Sequence, residues 1–194
     1  MNDQALWQLL REGNEEAYSV LAQRYYAKLV HYGQKFTPNR QLVEDAIQDL
    51  LIRLWLSRQR LNNTPSVKFY LLKAFRHQLF KVLNKSLHDS EVAEADTVGL
   101  MVFSVEDQYI EWENDLQFKS ELNERLKHLP ARQREVIYLR FFQGLALEEI
   151  ADLLVIQTQS VSNLLQRALA NLRSSWLITL PVVLVLAYYL ICPV

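Results

Sequence analysis

The stretch that decides the fold is "LALEEIADLLVIQTQSVSNLLQRALANLR", Leu145 to Arg173. Leu147, Ile150, Ala151 and Leu154 recur at helical spacing and form one short amphipathic helix. After a turn of three or four residues, Val161, Leu164, Leu165, Ala168 and Leu172 form the inner face of a second. Two helices at this spacing make a helix-turn-helix, whose second helix is shaped to enter the DNA major groove. The outward positions of that helix are Gln159, Ser160, Ser162, Asn163, Gln166 and Arg167, a set rich in amides and hydroxyls. Asn and Gln can pair bidentately with adenine, and an Arg reaches guanine or a phosphate. Two packed helices with polar outer faces satisfy the same spacing, so the motif needs support from elsewhere.

Outward from it, the chain reads as helical throughout. Half of its 194 residues are apolar and 22% charged, with only four Gly and five Pro to interrupt long periodic runs. This composition predicts an all-α protein. A first helix is expected from an N-cap at Asn2 or Asp3 to near Gly13, with Ala5, Leu6, Leu9 and Leu10 inward. A second starts at Asn14 and carries the stripe Ala17, Val20, Leu21, Tyr25, Leu29 and Tyr32, until "TPN" (37–39) stops it. A third turns Val43, Ala46, Ile47, Leu50, Leu51, Leu54 and Trp55 inward. A fourth, from about Ser66 to Lys85, buries Leu71, Leu72, Phe75, Leu79 and Val82. The domains expected are two small helical ones, 1–88 and 116–175, joined by an acidic linker at 89–115 and followed by an apolar tail at 176–194.

Charge is distributed unevenly behind a formal net charge of −1. Residues 89–115 hold nine acidic side chains and no Lys or Arg, whereas Leu50 to His88 hold eight basic ones and no acidic one. The basic block is the footprint expected of a polyanion-binding surface. An enzyme is disfavoured. The four His residues (His31, His77, His88, His128) are scattered, the glycines are isolated, and no nucleophile–base set presents itself. No cofactor and no metal site are expected. One cysteine, Cys192, excludes an internal disulfide and fits a reducing compartment, and "MNDQALWQLL" lacks the pattern of a secretory signal. A cytoplasmic location is expected.

The stretch "LKHLPARQREVIYLRFFQGLALEEIADLLVIQTQSVSNLLQRALANLR" resembles the C-terminal promoter-reading domain of bacterial sigma factors of the extracytoplasmic-function (ECF) group. "EGNEEAYSVLAQRYYAKL" and "VEDAIQDLLIRLW" resemble the opening and the core-polymerase-binding helix of that family's first domain. "SVKFYLLKAFRHQLFKVLNK" resembles the following helix, which handles melting promoter DNA. The resemblance spans roughly Gln8 to Arg173, and two motifs in the right order are far more specific than one helix-turn-helix.

It implies a subunit that binds core RNA polymerase and directs promoter recognition and opening, with no catalytic chemistry of its own. The alternative is a conventional helix-turn-helix regulator that leaves polymerase specificity alone; such a protein needs neither the basic block nor the acidic "VEDAIQD" face. By resemblance, Glu44, Asp45, Gln48 and Asp49 dock on a basic coiled coil of the polymerase's largest subunit. Charge alone allows a merely solvated helix face there. Arg58, Arg60, Asn62 and Asn63, in the loop 57–66, match the loop that captures an unstacked base of the downstream element. Lys68, Lys73, Arg76, His77 and Lys81 match the strand path, where cations meet phosphates. Core packing explains Trp55 and Tyr70 better than base stacking does, and both roles stay open for Phe69 and Phe80. Gln159, Ser160, Ser162, Asn163, Gln166 and Arg167 match the residues that read the upstream element, with Arg132, Arg134 and Arg140 as phosphate contacts. An anti-sigma partner is a further expectation from the family.

Two departures stand out. The family often has Gly at the helix-turn-helix turn, whereas Val155 is β-branched and tolerates positive φ poorly, so a differently built turn is expected. Ser162 and Leu164 replace the family's usual early Lys or Arg, which implies weak intrinsic duplex affinity, completed by polymerase binding.

The tail has no Asp, Glu, Lys or Arg from Trp176 to Val194. A bilayer span needs about 20 apolar residues, and Pro181 leaves only Val182 to Cys192 unbroken. Membrane contact through the tail, peripheral or tail-anchored, competes with a tail packed on the protein or bound by a partner. Short apolar runs more often pack than span.

Overall fold

A computed structural model describes residues 1–88, 122 and 124–174, and all regular structure among them is helical. The expected linker (89–115) and apolar tail (176–194) lie outside the described residues. The chain forms two compact units, each taken by itself here.

The first unit contains α1 (Asp3–Arg11), α2 (Glu15–Gly33), α3 (Arg40–Leu56), a 3₁₀ turn (Arg58–Arg60) and α4 (Val67–His88). Each helix starts at a side-chain cap. Asn2 Oδ1 accepts from the Ala5 amide at 2.9 Å, Asn14 Oδ1 from Ala17 at 2.8 Å, Asn39 Oδ1 from Leu42 at 3.2 Å and Ser66 Oγ from Phe69 at 3.1 Å. Such a cap satisfies one of the amides that a helix start leaves without a partner. Between them, α2, α3 and α4 bury Leu21, Tyr25, Leu29, Tyr32, Val43, Ala46, Ile47, Leu50, Leu54, Leu71, Leu72, Phe75 and Leu79. Leu51, Trp55 and Val82 are only half-buried, because they lie at the margins of the inward stripe.

At Gly33 the backbones come close. A Cβ there would sit 2.5 Å from Val43 Cγ1 and 2.9 Å from Phe75 Cζ, so α2 passes α3 and α4 only because the side chain is missing. The α1 expectation needs correction. Its inner face is Leu6, Trp7 and Leu10, while Ala5 is exposed and Leu9 half-buried. Trp7 displaces them because its larger apolar area gains more from burial.

The second unit has a helical turn at 124–127, α5 (Ala131–Ile137) running into a π-helical segment (Tyr138–Phe142), α6 (Leu147–Leu154) and α7 (Thr158–Ser174). Its core holds Leu126, Leu129, Val136, Ile137, Tyr138, Leu139, Leu145, Ile150, Ala151, Val161, Leu165 and Ala168. Leu147, Leu164 and Leu172 are half-buried. In the π segment, the Gln143 amide donates to the Tyr138 carbonyl at 3.0 Å, five residues back. The chain then reverses at Gly144, whose φ of 62° suits a residue without Cβ.

Candidate nucleic-acid interface and docking face

The acidic face lies along the outside of α3. Asp45, Gln48 and Asp49 are exposed and Glu44 is half-buried. Each carboxylate is held by a neighbour: Arg40 Nε donates to Glu44 Oε1 at 2.8 Å, Gln41 Nε2 to Asp45 Oδ1 at 2.9 Å, and Gln78 Nε2 to Asp49 Oδ2 at 2.9 Å. Gln78 reaches across from α4, where it is buried, so Asp49 is fixed by a neighbouring helix. Gln41, Glu44, Asp45 and Gln48 also line an open groove of about 500 Å³ between α2 and α3, with Tyr18, Tyr26, Leu51 and Ile52 as its other walls. Charge patterning missed this apolar half of the face. Ile52, one turn beyond Asp49 on α3, and Tyr26 on the facing α2, two exposed large apolar side chains, were the available signal.

The loop after α3 splits the four residues assigned to it. Arg58 turns inward: its guanidinium lies 4.2 Å from the Trp55 ring centroid and donates to the Trp55 carbonyl at 2.8 Å. Trp55 in turn packs on Tyr18 with centroids 5.1 Å apart. Arg60, Asn62 and Asn63 are exposed. Beneath the loop, Tyr70 meets Trp7 edge-on at 4.9 Å, and burial pushes the Tyr70 phenol above its ordinary pKa.

Along α4, Lys73, His77 and Lys81 are exposed, and Lys68 and Arg76 half-buried. Of the two open aromatics, Phe80 packs edge-on against Phe36 at 5.2 Å and carries the Arg76 guanidinium 4.5 Å from its centroid. Phe69 is half-buried, with the Lys73 ammonium 5.9 Å from its ring. Phe80 is thus part of the packing, while Phe69 keeps a face toward the cations.

In the second unit α7 presents Gln159, Asn163, Gln166 and Arg167 as exposed side chains, and Ser160 and Ser162 as half-buried ones. Gln159 Nε2 donates to Asn163 Oδ1 at 3.2 Å one turn on. All six occupy the helix that the spacing assigned to DNA reading. The three arginines are less open. Arg132 lies 3.5 Å from Glu135 Oε2, Arg140 Nη1 donates to the Leu145 carbonyl at 2.9 Å, and burial pulls the Arg134 guanidinium below its ordinary value. Glu135, fully buried, was not singled out in the sequence, where it reads as one more helical acid. Asn171 Nδ2 donates to Gln133 Oε1 at 3.0 Å and ties α7 to α5.

The turn overturns one expectation. Val155 adopts φ 56° and ψ 48°, the left-handed conformation that a glycine would supply, so the turn is not built differently. The Ile156 amide donates to the Ala151 carbonyl at 3.0 Å and closes the end of α6. The strain of a β-branched residue in this conformation is intrinsic to its own backbone, and the side chain, 88% exposed, adds no clash with the core.

Among the described residues no group of His, Cys, Asp or Glu is arranged to hold a metal ion, and no helix is long and apolar enough to cross a membrane.

Comparison with known proteins yields two families in sequence order. Sigma-70 region 2 matches residues 21–89 and sigma-70 region 4 matches residues 125–174. RNA polymerase sigma factor SigV of Bacillus subtilis is 28% identical over 138 residues, 71% of this chain and 78% of SigV. ECF RNA polymerase sigma factor SigX of the same organism is 26% identical over 165 residues, 82% of this chain and 83% of SigX. Two solved structures share the fold. CnrH, in complex with the cytosolic domain of CnrY, superimposes with a TM-score of 0.58 at 19% identity, covering 89% of this chain and 95% of that one. Sigma factor RpoE of Bartonella quintana, in complex with the anti-sigma factor NepR, gives 0.55 at 20% identity, covering 78% and 93%.

Proposed function

We infer from membership of the sigma-70 family, in whose ECF group this chain belongs, that the protein is an RNA polymerase sigma factor. It binds core polymerase and directs promoter recognition and opening. The observation that carries this is the pairing of region 2 with region 4 in one chain, which a helix-turn-helix regulator does not require.

We propose that the α3 face Glu44, Asp45, Gln48 and Asp49 docks on a basic surface of the core enzyme, with Tyr26 and Ile52 adding an apolar contact. Opposite charge steers the encounter, and the groove gives it shape. Arg60, Asn62 and Asn63 would capture a base of the opened downstream element. Lys68, Lys73, Arg76, His77 and Lys81 would neutralise phosphates along the strand. Gln159, Ser160, Ser162, Asn163, Gln166 and Arg167 would read the upstream element as duplex, with Arg132 on the phosphates. Arg58, Arg134 and Arg140 fit structural roles at least as well. Capture of bases and phosphates would hold the bubble open without a nucleotide cofactor, and the bond-making chemistry would belong to the polymerase. Its place of work would be the cytoplasm, where polymerase and promoter meet. An anti-sigma partner is proposed by analogy with RpoE and NepR.

Transcription from a linear template with purified core enzyme tests the function. Promoter-dependent transcript is expected; tight duplex binding by the protein alone with no such transcript would return the regulator reading. Charge reversal at Asp45 and Asp49 tests the docking face, with a loss of about 100-fold in core affinity expected. Unchanged affinity would remove that face.

A further inference from the structure

The first helix, α1, precedes the stretch that matches region 2, which begins at residue 21, yet it makes the most specific contacts to the loop between α3 and α4. The Ser66 carbonyl accepts from the Tyr70 amide at 3.0 Å and begins the ladder of α4, but residues 61–65 precede that helix and their carbonyls need other donors. Three of these carbonyls go to α1. Trp7 Nε1 donates to the Asn62 carbonyl at 3.1 Å, and Gln4 Nε2 donates to the Thr64 carbonyl at 2.8 Å and the Pro65 carbonyl at 2.9 Å. Around a single nitrogen, two carbonyl acceptors require the amide's NH₂ group, which a carboxylate cannot imitate. Trp7 is fully buried against Tyr70, and the loop is pinned at its ends by buried Leu61 and Val67. With the backbone engaged at Asn62, Thr64 and Pro65, Asn62 and Asn63 keep exposed side chains.

We propose that Gln4 and Trp7 are positioning residues for base capture: they hold the 61–66 backbone in one conformation, so that Asn62 and Asn63 meet an unstacked base with their amides already oriented. This rests on the reading of that loop as the base-capturing one. A loop with free carbonyls would sample several conformations and lose orientation on each binding event, whereas a held loop does not. The effect belongs to discrimination between bases more than to total affinity, because phosphate contacts along α4 stay in place. The carbonyl contacts stand apart from the other anchor of α1, in which Asp3 pairs with Arg24 and Tyr25 of α2.

The test uses full-length protein bound to core polymerase and a single-stranded oligonucleotide selected from a random pool by the wild-type holoenzyme, with each base then varied in turn. Gln4→Glu should lower discrimination at one base position by about tenfold, and Trp7→Phe, which keeps an aromatic ring but loses the donor and part of the indole, by about threefold. Core affinity and binding of the upstream duplex should not change in either variant, and thermal stability should not change in Gln4→Glu; Trp7→Phe should lower it modestly, because the buried site loses volume. Combining Gln4→Glu with Asn63→Ala should cost little beyond the larger single effect, since both act on one captured base. If Asn62→Ala and Asn63→Ala lower discrimination while Gln4→Glu and Trp7→Phe leave it at wild-type level, the brace is wrong and the loop reading survives. If the Asn variants change nothing, both fall. Equal losses at every base, together with a lower melting temperature of Gln4→Glu, would mark Gln4 and Trp7 as structural only and overturn the proposal.

Discussion

The two units obey local rules to different degrees. In the first, four helices start at Asn2, Asn14, Asn39 and Ser66, and each cap closes with a side-chain hydrogen bond. In the second, α5 starts at Pro130 and α6 at Ala146, neither of which offers a side-chain acceptor. Glu149 repairs part of this by accepting from the Ala146 amide at 2.9 Å. The same unit carries the π segment and the left-handed Val155. Where propensity, capping and packing agree, a unit is specified redundantly; where they conflict, something other than stability has set the sequence. Here the conflicts gather around the helices assigned to DNA.

The contrast can be broken from either side. The largest effect is expected at Gly33→Ala, where the new Cβ meets Val43 and Phe75 well inside contact distance. A loss of about 1–3 kcal/mol should appear in denaturant unfolding of the full chain, and amide exchange should place it in the first unit. Removing a cap with Asn39→Ala should cost about 1 kcal/mol, and Ala146→Ser, which creates one, should return a similar or smaller amount in the second unit. No gain at Ala146 would mean that Glu149 already does enough. A smaller gain, up to about 1 kcal/mol, is expected for Val155→Gly, since relief of the left-handed strain is partly offset by glycine's flexibility. Upstream-duplex affinity should stay the same; a fall would make the strained turn part of recognition.

The smallest effect concerns acid. Burial alone would raise the Asp3 carboxyl, but hydrogen bonds from Tyr25 and Arg24, with the charges of Arg24 and Lys28, bring it below its ordinary value. A depressed carboxylate stabilises the fold at every pH above its unfolded value of about 4, and that contribution disappears as pH falls through the lower folded value. The junction of α1 and α2 should therefore be insensitive between about pH 5 and 8 and loosen only below about 4. Asp3→Asn should lower stability slightly in the neutral region, where the carboxylate contributes, and flatten the acid limb so that the two curves converge below about pH 4.

Much of this was legible in the residues. Asn14 and Asn39 announce their helices, the stripes of α2 to α4 predict their buried faces, and 145–173 gives the helix-turn-helix. What escaped was set by three-dimensional context. Trp7 sits in a helix whose Leu spacing alone points to Leu6 and Leu10, and only the loop it touches explains its full burial. Arg58 reads as a free cation until the Trp55 ring beside it is seen. Val155 was expected to forbid a geometry that it in fact adopts, because steric cost is a penalty the surrounding helices can outweigh. A π segment leaves no sequence mark, since one extra residue in a turn preserves the apolar composition.

The tethers on the proposed docking face would carry a kinetic consequence. Arg40, Gln41 and Gln78 already occupy an oxygen of Glu44, Asp45 and Asp49, so a cation arriving from a partner trades places with an internal donor as often as it adds a bond. Exchange of this kind keeps the carboxylates oriented for a fast encounter while trimming the net gain of each contact, and most differences in affinity emerge as residence time. If the α3 face docks as proposed, such an arrangement would favour quick engagement and ready release.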